Sequence, residues 1–363
     1  MRGLISGTFL RGHLATFAAA LTGGGIAQAG QIPLPWVLGS MGAVATMMLL
    51  GAGVRQPLVA RRAAQITIGT ALGLTFTQTI ISQIASMGHW LAVGAVFSVG
   101  LTMLFSRIIQ RLAGIDAPTA IYSVAVGASA EMAMQAQQAG ADGALVAAAH
   151  AVRIITVISM ATAVAHWTGE TGGVTAYTAV AVLPWSMGLT LLCLAPLSGY
   201  LAHLIRLPNA WLLGPVLMAG AFAASGLDAK MYSVALVIAQ VTLGWGLGQH
   251  MNRQFFSKSP RMLFSALIVT IGMVTICLLL AWCLSKATDI TLLTGFLSLA
   301  PGGTAEMAII AKAYGIGAPL VTAFHFLRVV TTILTIKYVA GVLVRSGWVS
   351  IQPSPVPAED AKR

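Results

Sequence analysis

Charge is scarce in this sequence. Only 8% of its 363 residues are Asp, Glu, Lys or Arg, while 57% are apolar. A water-soluble domain carries about 25% charged residues, so most of this chain's surface must face something other than water. Cysteine is nearly absent too. Cys193, Cys277 and Cys283 lie inside apolar segments with neither CxxC nor metal-ligand spacing, which excludes a disulfide framework. No cluster of His, Cys and carboxylates has metal-site spacing, and no dinucleotide or ATPase fingerprint occurs, so no cofactor is expected and an enzyme is disfavoured. The net charge of +11 does not imply nucleic acid. The basic residues are spread over short loops, with no basic block interleaved with aromatics, as the positive-inside bias of membrane loops would spread them.

What is present is apolar length. Stretches near the roughly 20 residues that cross a bilayer recur at 34–52, 63–81, 89–105, 262–284 and 318–344. Arg2, Arg11, an apolar run and Ala27-Gln28-Ala29 resemble a signal peptide with a cleavage site. The repeat described next favours a retained first span. After about Gly347 the chain turns Pro-rich and mixed in charge, the composition of a short disordered tail at 347–363.

The two halves match in a single ungapped register. Pro33, Trp36, Leu38 and Gly39 return 175 positions later as Pro208, Trp211, Leu213 and Gly214. The same shift carries Gln65, Gly69 and Gly73 onto Gln240, Gly244 and Gly248, and Ala130-Glu131-Met132-Ala133 onto Ala305-Glu306-Met307-Ala308. It also carries His150, Arg153 and Thr156 onto His325, Arg328 and Thr331. The expected organisation is a tandem duplication, repeat 1 over 1–170 and repeat 2 over 174–346. Each repeat has six apolar segments, near 13–30, 34–52, 63–82, 89–106, 117–137 and 141–166 in the first, with counterparts beginning near 176, 209, 231, 262, 291 and 316.

The fifth segment of each repeat carries a helix breaker followed by a carboxylate: Gly127-Ala128-Ser129-Ala130-Glu131 and Pro301-Gly302-Gly303-Thr304-Ala305-Glu306. Non-helical backbone at membrane depth survives only inside protein or beside a watery cavity, so a re-entrant or broken helix is expected there. The fold class is then all-α and integral to the membrane, with about five spans plus one re-entrant element per repeat and inverted topology. Loop charges agree. With inverted halves Arg55, Arg61, Arg107, Arg111, Arg261 and Arg345 share one side, and only Lys230, Lys286 and Lys312 fall on the other. With parallel halves Arg206, Arg253, Lys258 and Arg261 change sides and weaken the bias.

An ionisable residue at bilayer depth costs roughly 2.5–3.5 kcal/mol on insertion scales, so each calls for a reason. Glu131 and Glu306 occupy equivalent places near the first turn of the helix after the breaker, where the dipole favours a carboxylate. They are read as a proton, cation or solute site, or as capping acids paired with a buried Arg. His150, Arg153 and Thr156, like His325, Arg328 and Thr331, form a polar stripe on an otherwise apolar helix. Two pseudo-symmetric guanidiniums can clamp an anion, or the stripe can lock the broken segment in place. Ser129 and Thr304 mark helix N-termini in the same region. Gln65 and Gln240 are secondary candidates beside small-xxx-small motifs that favour close helix packing. Trp36 and Trp211 read as interface anchors or packing wedges.

The Trp36-Val37-Leu38-Gly39 and Trp211-Leu212-Leu213-Gly214 pair, with the two Ala-Glu-Met-Ala motifs, resembles the AbrB membrane-protein family over about Gly24 to Val344. Members carry labels as an ammonia monooxygenase, an AbrB-family transcriptional regulator or a transporter. The resemblance implies a bacterial inner-membrane location and, nominally, regulation of gene expression. Both chain ends are expected in the cytoplasm. From the residues, the expectation is a secondary transporter of a small polar solute, anionic or zwitterionic, with proton or cation coupling. The alternatives are a membrane sensor acting indirectly on gene expression and, more remotely, a membrane enzyme. The expected partners are the lipid bilayer and the solute, with no nucleic acid and homo-oligomerisation left open.

Overall fold

A computed structural model describes residues 7–30, 32, 34–127, 129–170, 183–207, 209–227, 229, 231–249, 251 and 260–349. Within these, the side chains of 7–10, 79, 129–131, 133, 134 and 144 lie outside the description. All regular structure among the described residues is helical. The first half holds α1 (Gly7–Ala29), α2 (Pro35–Leu49), α3 (Leu58–Gly73), α4 (Gln78–Ser86), α5 (Gly88–Ala113), α6 (Ala117–Val124), α7 (Ser129–Gln138) and α8 (Gly143–Thr168). The second holds α9 (Trp185–Leu204), α10 (Ala210–Ala224), α11 (Ser233–Gly248), α12 (Pro260–Ala287), α13 (Leu292–Leu299), α14 (Thr304–Ala313) and α15 (Ala318–Arg345).

Among the described residues, five helices (α5, α8, α9, α12 and α15) are long and apolar enough to cross a membrane. Their outer faces carry exposed side chains such as Leu192, Leu201, Leu279 and Leu334. Such a surface is stable against lipid and not against water, consistent with an integral membrane protein.

One expected segment is two elements. The stretch read as 63–82 ends its helix at Gly73, and Thr77 caps a separate nine-residue α4 by accepting from the Ile80 N–H (3.5 Å). Gln78, Ser82, Gln83 and Ser86 make α4 amphipathic, with Ile84 packed on the core.

The helices form two packed groups. The first comprises α1, α2, α3, α9, α10 and α11, and the second α5 to α8 with α12 to α15. Glycine sets the crossings of the first group. A Cβ on Gly69 would strike the Leu212 carbonyl, and one on Gly73 would meet that of Val216. Gly244 and Gly248 stand in the same relation to Val37 and Met41. The small-xxx-small motifs are therefore backbone contacts, α3 on α10 and α11 on α2, each pair running parallel. Trp36 and Trp211 pack on Gly24 and Gly199, as wedges. In the second group α5 and α12 run antiparallel: the Arg261 Nε donates to the Leu112 carbonyl (2.6 Å), and Phe105 lies against Gly272.

Beyond α15, Trp348 Nε1 donates to the Met103 carbonyl (3.0 Å), and Val349 is buried. The first residues of the expected tail thus dock on α5. Residues 350–363 lie outside the described residues, as do Pro33 and Pro208 of the duplicated signature.

Candidate functional site

The fifth segments break where the sequence says they should, and the breaks make hairpins. Asp116 caps α6 by accepting from the Thr119 N–H (3.0 Å), and Thr291 caps α13 by accepting from the Thr294 N–H (3.2 Å). After eight residues each helix stops at an extended residue, Ala125 (φ −55°, ψ 125°) or Ala300 (φ −57°, ψ 140°). Pro301 forces this at Ala300, since the residue before a proline is pushed out of the helical region. The chain then turns back. The Asp142 N–H, just past α7, donates to Thr119 Oγ1 at the start of α6 (2.9 Å), and Gly317, just past α14, packs on Thr294 at the start of α13. Entry and exit of each hairpin therefore lie at the same end of the bundle. The first hairpin opens beside Arg261 in the first turn of α12; the second opens at Thr288 to Thr291, which follow its last turn. The two mouths are separated by the length of α12, about 40 Å at 1.5 Å per residue.

A broken helix leaves its last carbonyls without donors, and in hydrocarbon each such group costs several kcal/mol. Both breaks solve this with the same pair of side chains, a histidine and an arginine. His150 Nε2 donates to the Tyr122 carbonyl (2.9 Å), and His325 Nε2 to that of Leu297 (2.8 Å). Arg153 Nη1 donates to the Ala125 carbonyl (2.8 Å) and, at 3.5 Å, to that of Val124. Arg328 Nη1 donates to the Ala300 carbonyl (2.6 Å) and Nη2 to that of Gly302 (2.9 Å). In each half Nη2 also meets the Nδ1 of the same histidine, at 3.2 and 3.1 Å. An imidazole that donates from Nε2 and accepts at Nδ1 is the neutral tautomer. All four side chains are at most 3% exposed. Arg153 and Arg328 are each the eleventh residue of their helices, about 15 Å along the axis, half of the roughly 30 Å hydrocarbon core.

The stripe residues therefore act first as locks on backbone. Each guanidinium still has one nitrogen unpaired: Nε of Arg153 and of Arg328 is buried without a hydrogen-bond partner. No described carboxylate pairs with either. Glu306, third residue of α14, turns its carboxylate back to where a Cβ on Gly303 would stand, over the first turn of its own helix. Thr304 is buried at that N-terminus. Ser129 and Glu131 belong to α7, but their side chains lie outside the described residues. Gln65 Nε2 donates to Asn209 Oδ1 (3.1 Å), tying α3 to the start of α10; Gln240 is half-buried on α11.

The third member of the stripe diverges. Thr156 turns its hydroxyl back to the Val152 carbonyl of its own helix (2.8 Å), and Thr331 is half-buried. The residue that reaches a break is Thr332, whose Oγ1 donates to the Val126 carbonyl (3.3 Å). Helix phase explains this. At about 100° per residue, i+6 has drifted roughly 120° from His325, while i+7 returns to within about 20° of it. Two more contacts went unread in the sequence: Cys277 Sγ donates to the Leu299 carbonyl (3.3 Å), and Lys312 Nζ to that of Ala71 on α3 (2.9 Å). Lys312, taken as a loop charge, instead joins the second hairpin to the first helix group. Its signal was its place in the last turn of an apolar helix.

The sequence resembles known proteins over most of its length. The family described as "Transition state regulatory protein AbrB" matches residues 36–344. The chain is 29% identical over 313 residues to "Putative regulator AbrB" of Escherichia coli (strain K12), covering 84% of this chain and 88% of that protein. It is 27% identical over 290 residues to "Uncharacterized protein YhjN" of Bacillus subtilis (strain 168), covering 74% of each. With its duplicated Trp-x-Leu-Gly and Ala-Glu-Met-Ala motifs inside the matched span, this chain belongs to the AbrB family.

Proposed function

We propose that this chain is a secondary transporter that moves a small anionic or zwitterionic solute, coupled to a proton or cation, through a site between the two breaks. In this reading 1–170 and 174–346 are repeats of inverted topology in a bacterial inner membrane, with both chain ends in the cytoplasm, and no catalytic step is assigned. The observation that carries it is the convergence on α15. Arg328 holds the second break, and Thr332, one turn on, bonds the first.

Three features support the reading. The antiparallel run of α5 and α12, equivalent helices at the 175-residue shift, favours inversion. The arginines neutralise the C-terminal ends of α6 and α13, while the N-termini of α7 and α14 enter the same region with their positive ends. Discontinuous helices meeting at the midplane are the recurrent binding design of transporters with inverted repeats. The two Nε–H groups and the Thr304 hydroxyl would meet the solute's anionic group, and Glu306 with Glu131 would carry the coupling ion.

The test is flux into proteoliposomes from a panel of small carboxylates, sulfonates and amino acids. Saturable, gradient-driven uptake of an anionic or zwitterionic member, lost in Glu131→Gln with Glu306→Gln, is expected. Uptake that survives that pair removes the coupling assignment. The name of the Escherichia coli relative favours a second reading, a membrane sensor acting indirectly on gene expression. Saturable binding without flux for any panel member would select it.

A further inference from the structure

Three arginines meet at one end of the second helix group, where no solute path is assigned. Arg107 and Arg111 come from the last two turns of α5, Arg261 from the first turn of α12, and with Gln110 and Trp348 they line a cavity of about 370 Å³. The arrangement is built. Arg261 caps α5 through the carbonyls of Leu112 (2.6 Å) and Arg111 (3.4 Å), and its guanidinium lies flat against Gly114. Gly114 takes φ +69°, the left-handed region that favours glycine. Arg107 stacks on the Trp348 ring at 4.6 Å, and the indole is fixed by its bond to the Met103 carbonyl. Among the described residues, no acidic side chain lines the cavity. The nearest acid in sequence, Asp116, is turned away onto the Thr119 N–H.

Three guanidiniums around one small volume repel unless an anion joins them, and their planar forks match phosphate oxygens. Position selects the source. The cavity sits where α5, α12 and α15, all of spanning length, end together, at headgroup level beside an interfacial tryptophan. One turn deeper, on the same faces as Arg107 and Arg261, Leu104 and Phe264 are 43% and 64% exposed, an apolar track for acyl chains. Basic pockets between helices on the cytoplasmic side are the places where anionic headgroups bind. We propose that this cavity holds the phosphate of an anionic phospholipid. The inference needs only membrane residence, so it stands or falls apart from the transport reading.

The test is native mass spectrometry of the full chain released from micelles holding equal phosphatidylglycerol and phosphatidylcholine. Phosphatidylglycerol should be retained, and Arg107→Gln with Arg111→Gln should weaken retention by at least about tenfold. Arg261 is left intact because it caps α5. If the double variant melts early, Arg111→Gln alone, at an exposed position, gives the reading, with Arg111→Lys expected to rescue part of it. Equal retention of both lipids, or retention unchanged in the variants, overturns the proposal. Inorganic phosphate displacing phosphatidylglycerol at millimolar concentration assigns the site to a free phosphate compound and overturns the lipid source.

Discussion

The two hairpins share a lock and differ in what surrounds it. Shared are the neutral histidine, the arginine on the break carbonyls, and the depth of both. The differences all fall at equivalent positions. Cys277 donates to the second break where the first half has Thr102, whose hydroxyl stays within its own helix. Lys312 ties the second hairpin to α3 where the first has an exposed Gln137. Pro301-Gly302-Gly303 stands against Val126-Gly127-Ala128, and Thr332 against Val157. What is common is what hydrocarbon demands of broken backbone. Cys277 and Lys312 anchor the second hairpin at two places where the equivalent residues of the first make no such contact, while Thr332 gives the first break one bond in return.

Substitutions can break or sharpen that comparison. The largest effect belongs to the lock. Each buried carbonyl left without a donor costs about 1–3 kcal/mol. Arg328→Ala strands two carbonyls bonded within 3 Å, those of Ala300 and Gly302, whereas Arg153→Ala strands one, that of Ala125. Thermal unfolding in micelles should rank Arg328→Ala below Arg153→Ala, with both below wild type; equal losses would deny the second lock its extra bond. Next come the crossings. Gly69→Val and Gly244→Val should each cost about 1–3 kcal/mol by overpacking, and by similar amounts, because both face a carbonyl of the partner helix. A large difference between them would mean that the first helix group is not symmetric. The smallest effect is Thr332→Val, which keeps shape and loses one bond, about 0.5–1.5 kcal/mol. Amide exchange should then rise at 125–127 and not at 300, 302 and 303.

Much of this was legible in the sequence because the repeat offset samples each constraint twice. Breakers, His/Arg pairs and glycine crossings recur since the same physics acts on both halves. The partners of the lock were not legible. Carbonyls belong to every residue, so nothing in the letters separates Ala125 or Ala300 from its neighbours. Helix phase misled at the third stripe position, where Thr331 keeps the repeat register but Thr332 keeps the face. The short α4 was hidden because Ile80, Ile81 and Ile84 prolong the apolar run of α3 when the Thr77 cap is overlooked.

The central claim is that the hairpins enter from opposite faces and meet at the same depth. Gln138 and Ala313 are equivalent, exposed residues at the outer end of each hairpin's returning half-helix. With Cys193 and Cys283 replaced by serine, Gln138→Cys and Ala313→Cys can be probed with a membrane-impermeant maleimide in vesicles of known orientation. Labelling of 138 from the cytoplasmic face alone and of 313 from the opposite face alone is the predicted result. Labelling of both from one face would contradict the account.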